Sequence, residues 1–301
     1  MRKRAALLLA AGALGCGPVG RLRRHDPPRA RVEEFTVREI KAEDGALTVR
    51  LEIPTAPPGP KPAVIAYLGE GPALRRNGMI AVSYIDARAV QPATSAPAPT
   101  VAGKWVLASP SADVLGEGYI RAIARAARDA VPKVIDTLAT EPEVDATRLG
   151  ITGASTYGFT ALQALAADQR LGAGVALLSC GDYHSFLRYS SMGMAGEPLA
   201  LRPAYDRWLR EQEIAEHPTK VVHAALLMID RTTDPLIPIA CADATAHALQ
   251  RAYERAGVAE RFRYVRQETG GHDVGVAERQ EAVAWLARWL GGAPPAAARA
   301  R

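Results

Sequence analysis

The sequence predicts an α/β protein with a doubly wound, mostly parallel sheet that carries helices on both faces. Short apolar runs of strand length alternate with amphipathic helical stretches along most of the chain, which is the pattern of successive strand–helix–strand units. Most of these runs are apolar at every position, as strands are when both faces of their sheet are covered. The length of 301 residues fits one large domain of this class.

The predicted elements follow one another in a regular order. The domain begins with two alternating, β-rich runs at 34–41 and 47–53, and a turn ending in Gly45 joins them into a hairpin. The segment 117–138 is an amphipathic helix in which Pro132 is expected to cause a kink. Further strands are predicted at 63–68, 79–85, 149–152, 174–179, 221–229 and 261–267, and further helices at 155–167, 240–256 and 278–290.

The N-terminus has the pattern of a secretory signal. Three basic residues at 2–4 precede an apolar run at 5–14 that is too short to span a bilayer. The run ends just before Cys16, in a context that resembles a bacterial lipobox, where a cysteine is lipidated and becomes the new N-terminus. We therefore expect a signal at 1–16, a tether at 17–31 and a lipid-anchored protein of the cell envelope. A secreted or periplasmic protein is the alternative.

The net positive charge of the chain comes from this N-terminal part. The chain has 37 Lys and Arg against 32 Asp and Glu, a formal net charge of +5. A basic excess can indicate nucleic-acid binding, but in the later helices Arg residues are interspersed with Glu and Asp. The distribution indicates an export signal and a membrane-side arm, and we expect no nucleic-acid partner.

The strongest local motif is a strand that runs into a helix through Gly153-Ala154-Ser155. Such a turn projects a serine hydroxyl above the carboxyl ends of the strands and places it at a helix N-terminus. The motif resembles the nucleophile elbow of the α/β-hydrolase superfamily, and the segment before it looks like that of dienelactone-hydrolase-like and prolyl-oligopeptidase-like members. The chain departs from the usual G-x-S-x-G pattern because Tyr157 replaces the second glycine and Gly158 follows. Some relatives have this longer spacing. The alternative is a serine that only caps the helix.

The resemblance implies an acid and then a histidine after the serine. Asp234 follows a predicted strand in a D-x-x-x-P context, as the acid does in the superfamily. Asp230, at the strand end, and Asp182, after the preceding strand, are the weaker candidates. His272 follows a glycine pair between the last strand and the last helix, and it is the expected base.

The chemistry explains why all three residue types are needed. A serine hydroxyl is a poor nucleophile at neutral pH, so a histidine must accept its proton, and the acid orients the histidine. Two donors must also stabilise the oxyanion. We expect one from the backbone N–H of Thr156 and the other from the loop after the strand at 63–68, where Glu70 is the candidate and Gly69 its neighbour.

The resemblance also implies domain boundaries and a substrate pocket. The hydrolase domain is expected at 32–290, with a small cap insertion at about 182–218 and a disordered tail at 291–301. The cap segment is rich in aromatic residues and Met. Tyr157, His184 and Phe186 are the pocket candidates, and the alternative is that the cap residues only pack the insertion onto the sheet.

No motif for a cofactor or metal is found. The sequence has no P-loop and no G-x-G-x-x-G after a strand, and no Cys or His pair has metal-ligand spacing. We therefore expect no cofactor and no metal. Cys180 and Cys241 are far apart in sequence and are either bridged or two buried thiols.

The expected activity is that of a serine hydrolase acting on a small-molecule ester or amide. An esterase is favoured over a peptidase because no propeller-type segment precedes the hydrolase-like one. The alternative is a catalytically inactive envelope binding protein. That interpretation would explain Tyr157 and the oxyanion loop, in which Leu68-Gly69 replaces the His-Gly that the superfamily often has. The sequence does not predict an oligomeric state.

Overall fold

The computed structural model describes residues 34–42, 45–67, 69–87, 100–101, 104–105, 116–192 and 201–291. Predictions for the signal, Cys16, the tether, the 193–200 part of the cap and the tail from 292 onward lie outside these residues.

An eight-stranded sheet forms the centre of the described part of the chain. Its strand order is β1-β2-β4-β3-β7-β8-β9-β10. The pairs β1–β2 and β2–β4 are antiparallel, and all later neighbours are parallel. The strands are β1 (Phe35–Ala42), β2 (Leu47–Pro54), β3 (Lys61–Ala66), β4 (Ile80–Asp86), β7 (Val144–Ala154), β8 (Leu171–Leu177), β9 (Ala225–Arg231) and β10 (Phe262–Gln267), with β5 (Thr100–Val101) and β6 (Lys104–Trp105) pairing separately. The predicted doubly wound, mostly parallel sheet is confirmed.

Helices cover both faces of the sheet. The α-helices are α1 (Gly71–Arg76), α2 (Arg121–Arg125), α3 (Val131–Ala139), α4 (Thr156–Ala167), α5 (Tyr183–Tyr189), α6 (Pro203–Gln212), α7 (Ile239–Arg255) and α8 (Val276–Leu290). Buried side chains of α3, α4 and α7 form the core on one face, and those of α1 and α8 form the core on the other. Fully burying one aliphatic side chain contributes about 1.5–3 kcal/mol, so these two cores stabilise the sheet.

The cap insertion packs through a third cluster. Helices α5 and α6 contribute Tyr183, Phe186 and Tyr205, which lie with Phe159 of α4 in one buried group. This cluster places the cap helices beside the N-terminal end of α4, which follows Ser155.

Several elements differ from their predicted bounds or form. The strand predicted at 149–152 begins earlier, at Val144, and the strand predicted at 221–229 begins only at Ala225, after the 3-10 helix Pro218–Val221. The predicted helix at 117–138 is divided by the π-helical segments Gly116–Ile120 and Ala126–Ala130. Pro132 lies in the first turn of α3, and its missing N–H and its ring both disfavour a regular α-helical turn before it. Strand β8 also ends two residues before the predicted strand does, because Leu178 has a φ of +48°.

The parallel strands bring the functional candidates to one edge. The last paired residues of β7, β8, β9 and β10 are neighbours across the sheet. Ligands of open α/β sheets bind outside the carboxyl ends of the strands, and this edge is where Ser155 emerges. Among the described residues no helix is long and apolar enough to cross a membrane.

Candidate active site

Ser155 lies in a sharp turn between β7 and α4. Its φ of 54° and ψ of −126° are unusual for a residue other than glycine and mark a strained turn. The N–H of Ser155 donates to the carbonyl of Leu177 at 2.9 Å. The turn is therefore fixed to the neighbouring strand β8, and Ser155 is the residue from which α4 begins.

Two glycines make this turn sterically possible. A Cβ atom on Gly153 would lie 2.5 Å from the backbone carbonyl of Tyr157, and one on Gly158 would lie 2.7 Å from the carbonyl oxygen of Leu177. Gly153 thus lets α4 fold back over the strand, and Gly158 lets α4 approach β8. The longer G-x-S-x-x-G spacing has a direct structural reason.

Ser155, His272 and Asp234 form one hydrogen-bonded chain. The Oγ of Ser155 is 2.9 Å from Nε2 of His272, and Nδ1 of His272 is 2.7 Å from Oδ2 of Asp234. The other carboxylate oxygen of Asp234 accepts hydrogen bonds from the N–H groups of Leu236 and Ile237, at 2.8 and 3.0 Å. The Asp234 side chain is 1% exposed. The hydrogen bonds to its two oxygens fix its orientation toward the imidazole.

The two weaker acid candidates have other partners. Asp230 is completely buried, accepts the N–H of Ser179 at 2.7 Å, and has a pKa raised well above its usual value by that burial. Asp182 caps α5 by accepting the N–H and the hydroxyl of Ser185. The carboxylate that contacts His272 is that of Asp234.

The oxyanion candidates lie at the carboxyl ends of β3 and β7. Thr156 is the first residue of α4, and the first N–H groups of a helix have no acceptor within it. Gly69, with a φ of +79°, and the buried Glu70 lie between β3 and α1. Because β3 and β7 are parallel neighbours, both donor groups belong to the edge that carries Ser155.

The bulky Tyr157 is accommodated by an aromatic stack. Its ring lies on that of Tyr67, with centroids 4.3 Å apart and planes 8° apart. The hydroxyl of Tyr67 donates to that of Tyr84 at 2.9 Å, and burial raises the pKa of Tyr67. Tyr157 remains 43% exposed, so its side chain lies at the surface beside the turn.

The other two pocket candidates have different environments. Phe186 is fully buried and packs against Phe159 and Tyr119, so the structure gives it a packing role. His184 is partly exposed and lies between two carboxylates, with Nδ1 2.6 Å from Glu213 and Nε2 2.6 Å from Asp206.

His184 predicts a pH-dependent contribution to stability. The hydrogen bonds to Glu213 and then Asp206 outweigh burial and raise the pKa of His184 above its usual value. A group whose pKa is raised on folding stabilises the folded state below its unfolded pKa, about 6.5 for His, and loses this contribution as pH rises through the folded pKa. We expect the melting temperature of wild type to exceed that of His184→Gln most at about pH 5–6, and the difference to shrink at higher pH. Thermal melts from acid to alkaline pH test this, with the exposed His247→Gln as control. A difference independent of pH would contradict it.

Cys180 and Cys241 form a disulfide, with Cα atoms 5.7 Å apart. It joins the segment after β8 to the first turn of α7. The described residues contain no group of three or more His, Cys, Asp or Glu side chains placed to hold a metal ion.

Three residues near the site were not predicted from the sequence. Tyr119 has its hydroxyl 2.9 Å from Oγ1 of Thr156, and burial raises its pKa although hydrogen bonds with Thr156 and Ser155 oppose this. Tyr67 supports Tyr157, and Arg231 contacts the loop of His272. Each acts through a partner distant in sequence. Only Tyr67 has a local signal, since it lies two residues before Gly69 of the predicted oxyanion loop.

The fold and this constellation together define a hydrolase of the esterase or peptidase type. The chain matches the family described as glucuronyl esterase, fungi, over residues 37–203 and the prolyl oligopeptidase family over residues 122–293. Each match spans more than half of the chain. The chain therefore belongs to the α/β-hydrolase superfamily of serine hydrolases. The two families that it matches are of the esterase and the peptidase type. No match was found among the curated proteins.

Solved structures show the same fold at low sequence identity. TT1662 from Thermus thermophilus is 17% identical, with a TM-score of 0.59 over 86% of this chain and 100% of its own. A glucuronoyl esterase from Solibacter usitatus is 14% identical, with a TM-score of 0.57 over 89% of this chain and 88% of its own. The acylaminoacyl peptidase of Pyrococcus horikoshii is 17% identical, with a TM-score of 0.59 over 86% of this chain but 40% of its own.

Proposed function

We propose that the protein hydrolyses a carboxylic ester through an acyl-enzyme formed on Ser155. The single observation that carries this proposal is the unbroken hydrogen-bonded chain from Ser155 through His272 to Asp234. Its distances match those between nucleophile and base, and between base and orienting group, in nucleophilic catalysis.

The geometry supports a complete reaction cycle. Ser155 Oγ attacks the ester carbonyl while Nε2 of His272 takes its proton, and Asp234 stabilises the imidazolium. The negative charge on the carbonyl oxygen develops beside the N–H of Thr156. His272 then donates its proton to the departing alkoxide, and the C–O bond breaks. Water attacks the acyl-enzyme, His272 takes one of its protons, and return of that proton to Ser155 Oγ releases the acid.

We propose an ester as the substrate, and an amide is the alternative. The glucuronyl esterase family match is consistent with an ester, and the prolyl oligopeptidase family match is consistent with an amide. The exposed Tyr157 ring beside Ser155 offers a flat apolar surface for part of the substrate.

A fluorophosphonate probe tests this activity directly. Wild-type protein should be labelled and should hydrolyse p-nitrophenyl esters, whereas Ser155→Ala should do neither, because the probe forms its bond with an activated serine hydroxyl. Ser185→Ala removes a hydroxyl that Asp182 binds and serves as the control that keeps labelling. An unlabelled wild type would favour the catalytically inactive binding protein. A series of acyl chain lengths would then define the preferred ester.

We also propose that the protein is anchored in the cell envelope through a lipid on Cys16. The basic cluster at 2–4, the apolar run at 5–14 and the cysteine after it support this location. The disulfide between Cys180 and Cys241 is consistent with it, since disulfides persist mainly in oxidising compartments.

Metabolic labelling tests the anchor. Cells that express the full chain and receive a clickable fatty acid should incorporate it into wild type and not into Cys16→Ser. Equal incorporation would refute the lipid anchor. Absence of incorporation together with export would support the secreted or periplasmic alternative.

A further inference from the structure

A buried arginine connects the two loops that carry the acid and the base. Arg231 is the last residue of β9 and lies three positions before Asp234. Its side chain is 7% exposed. Arg231 therefore lies inside the protein, where the loop that carries Asp234 begins.

All three parts of the Arg231 guanidinium have partners around the base loop. Nε donates to the side chain of Gln267 at 2.8 Å, Nη1 to the carbonyl of Gly270 at 2.7 Å, and Nη2 to the carboxylate of Glu278 at 2.6 Å. Gln267 ends β10, Gly270 lies two residues before His272, and Glu278 is in the first turn of α8. One side chain thus fixes the beginning, the middle and the end of the segment that carries His272.

The charge and the backbone both fit this arrangement. Burial has the largest single effect on the pKa of Glu278 and would raise it, but the hydrogen bond from Arg231, the other hydrogen bonds and the charge of Arg231 together outweigh burial and leave the pKa below its usual value. Glu278 is therefore ionised and pairs with the buried cation. Gly270 has a φ of +120°, and a Cβ there would lie 2.5 Å from Nη1 of Arg231. The glycine lets the loop backbone lie directly on the guanidinium.

We propose that Arg231 is a positioning residue that holds His272 at hydrogen-bonding distance from both Asp234 and Ser155. The proposal rests on the function proposed above. Arg231 touches neither the substrate nor the reacting atoms in this scheme. It can hold the loop because its planar guanidinium donates hydrogen bonds in three fixed directions at once, which a lysine ammonium on a flexible stem cannot reproduce.

The test compares Arg231 with a matched arginine at the opposite end of the sheet. Arg148 also has three partners: the Asp145 carboxylate at 2.7 Å, the Leu290 carbonyl at 3.3 Å and the Pro60 carbonyl at 3.4 Å. These contacts lie near the beginning of β7, whereas Ser155 follows its end. The variants Arg231→Met, Arg231→Lys and Arg148→Met are assayed with p-nitrophenyl acetate and by thermal melting, alongside wild type and Ser155→Ala.

A positioning role predicts a selective loss of turnover. We expect Arg231→Met to lower kcat about 10- to 100-fold, as misplacement of a catalytic group by about 1 Å does. KM should stay within about threefold of wild type, since substrate binding is not the interaction removed. Arg231→Lys should fall between wild type and Arg231→Met, and Arg148→Met should keep the wild-type kcat and KM.

Two outcomes would overturn the proposal. A wild-type kcat in Arg231→Met would show that the guanidinium is not needed to position His272. An equal loss of kcat in Arg148→Met would show that the loss comes from general destabilisation of the fold. If Arg231→Met does not fold, Arg231→Lys is judged by the same two outcomes. If wild type is active, Ser155→Ala is inactive and the Arg231 variants have the wild-type kcat, only this inference is refuted. An inactive wild type removes the proposed function, and this inference with it.

Discussion

Asp234→Asn is expected to lower kcat about 10⁴-fold while KM changes little, the loss known for the matching substitution in a serine protease. The asparagine can still accept the N–H groups of Leu236 and Ile237, so the loop should keep its shape. Its amide NH₂ would then face His272 and donate to Nδ1. The imidazole would carry its proton on Nε2, toward Ser155, and could not accept the hydroxyl proton.

Steady-state kinetics on a p-nitrophenyl ester measure this change, and two other aspartates supply the controls. Asp182→Asn and Asp230→Asn should keep most of the wild-type kcat, because Asp182 caps a helix and Asp230 is buried with a raised pKa. Should Asp230→Asn lose activity while Asp234→Asn retains it, the acid assigned here would be the wrong one.

Gly153→Val is expected to have the second largest effect, on both activity and stability. Its Cβ would lie 2.5–2.6 Å from backbone and Cβ atoms of Tyr157, and these cannot move unless the start of α4 moves with them. Overpacking of this kind costs about 1–3 kcal/mol of unfolding free energy. Because Ser155 lies between the two colliding residues, we also expect kcat to fall on the order of 100-fold.

Denaturant unfolding and kinetics measured on the same preparation separate these two losses. Gly172→Val in β8 is the matched control, since a Cβ there is 3.9 Å from its nearest neighbours. It should alter neither quantity by a comparable amount. A Gly153→Val protein with wild-type turnover would show that the elbow tolerates a side chain at this position.

The fold class and most elements were predictable because their signals are local. Continuous apolar runs predicted the parallel strands, and the hairpin at the start predicted the antiparallel edge formed by β1 and β2. The interrupted helix between Gly116 and Ala139 was less predictable. The spacing of apolar residues changes little when a single α-helical turn becomes π-helical. The sequence therefore indicated only the kink expected at Pro132.

The candidate triad was predictable for a similar reason. Ser155, Asp234 and His272 each follow a strand and lie beside turn-forming or helix-starting residues. The parallel arrangement of β7, β9 and β10 then directs all three to the same edge. The D-x-x-x-P context favoured Asp234 over Asp230, and the structure shows the physical difference, because Asp234 contacts His272 whereas Asp230 accepts the N–H of Ser179.

The sequence by itself determined the order of elements, the elbow and the three residues of the hydrogen-bonded chain, because turn residues and apolar runs act over a few neighbouring positions. Only the tertiary structure decided how Tyr157 is supported by Tyr67, that Cys180 is bonded to Cys241, and that Arg231 connects the acid and base loops. These contacts join residues 36 to 90 positions apart. They exist because the strand order brings distant segments to one edge of the sheet, and no local pattern encodes that order.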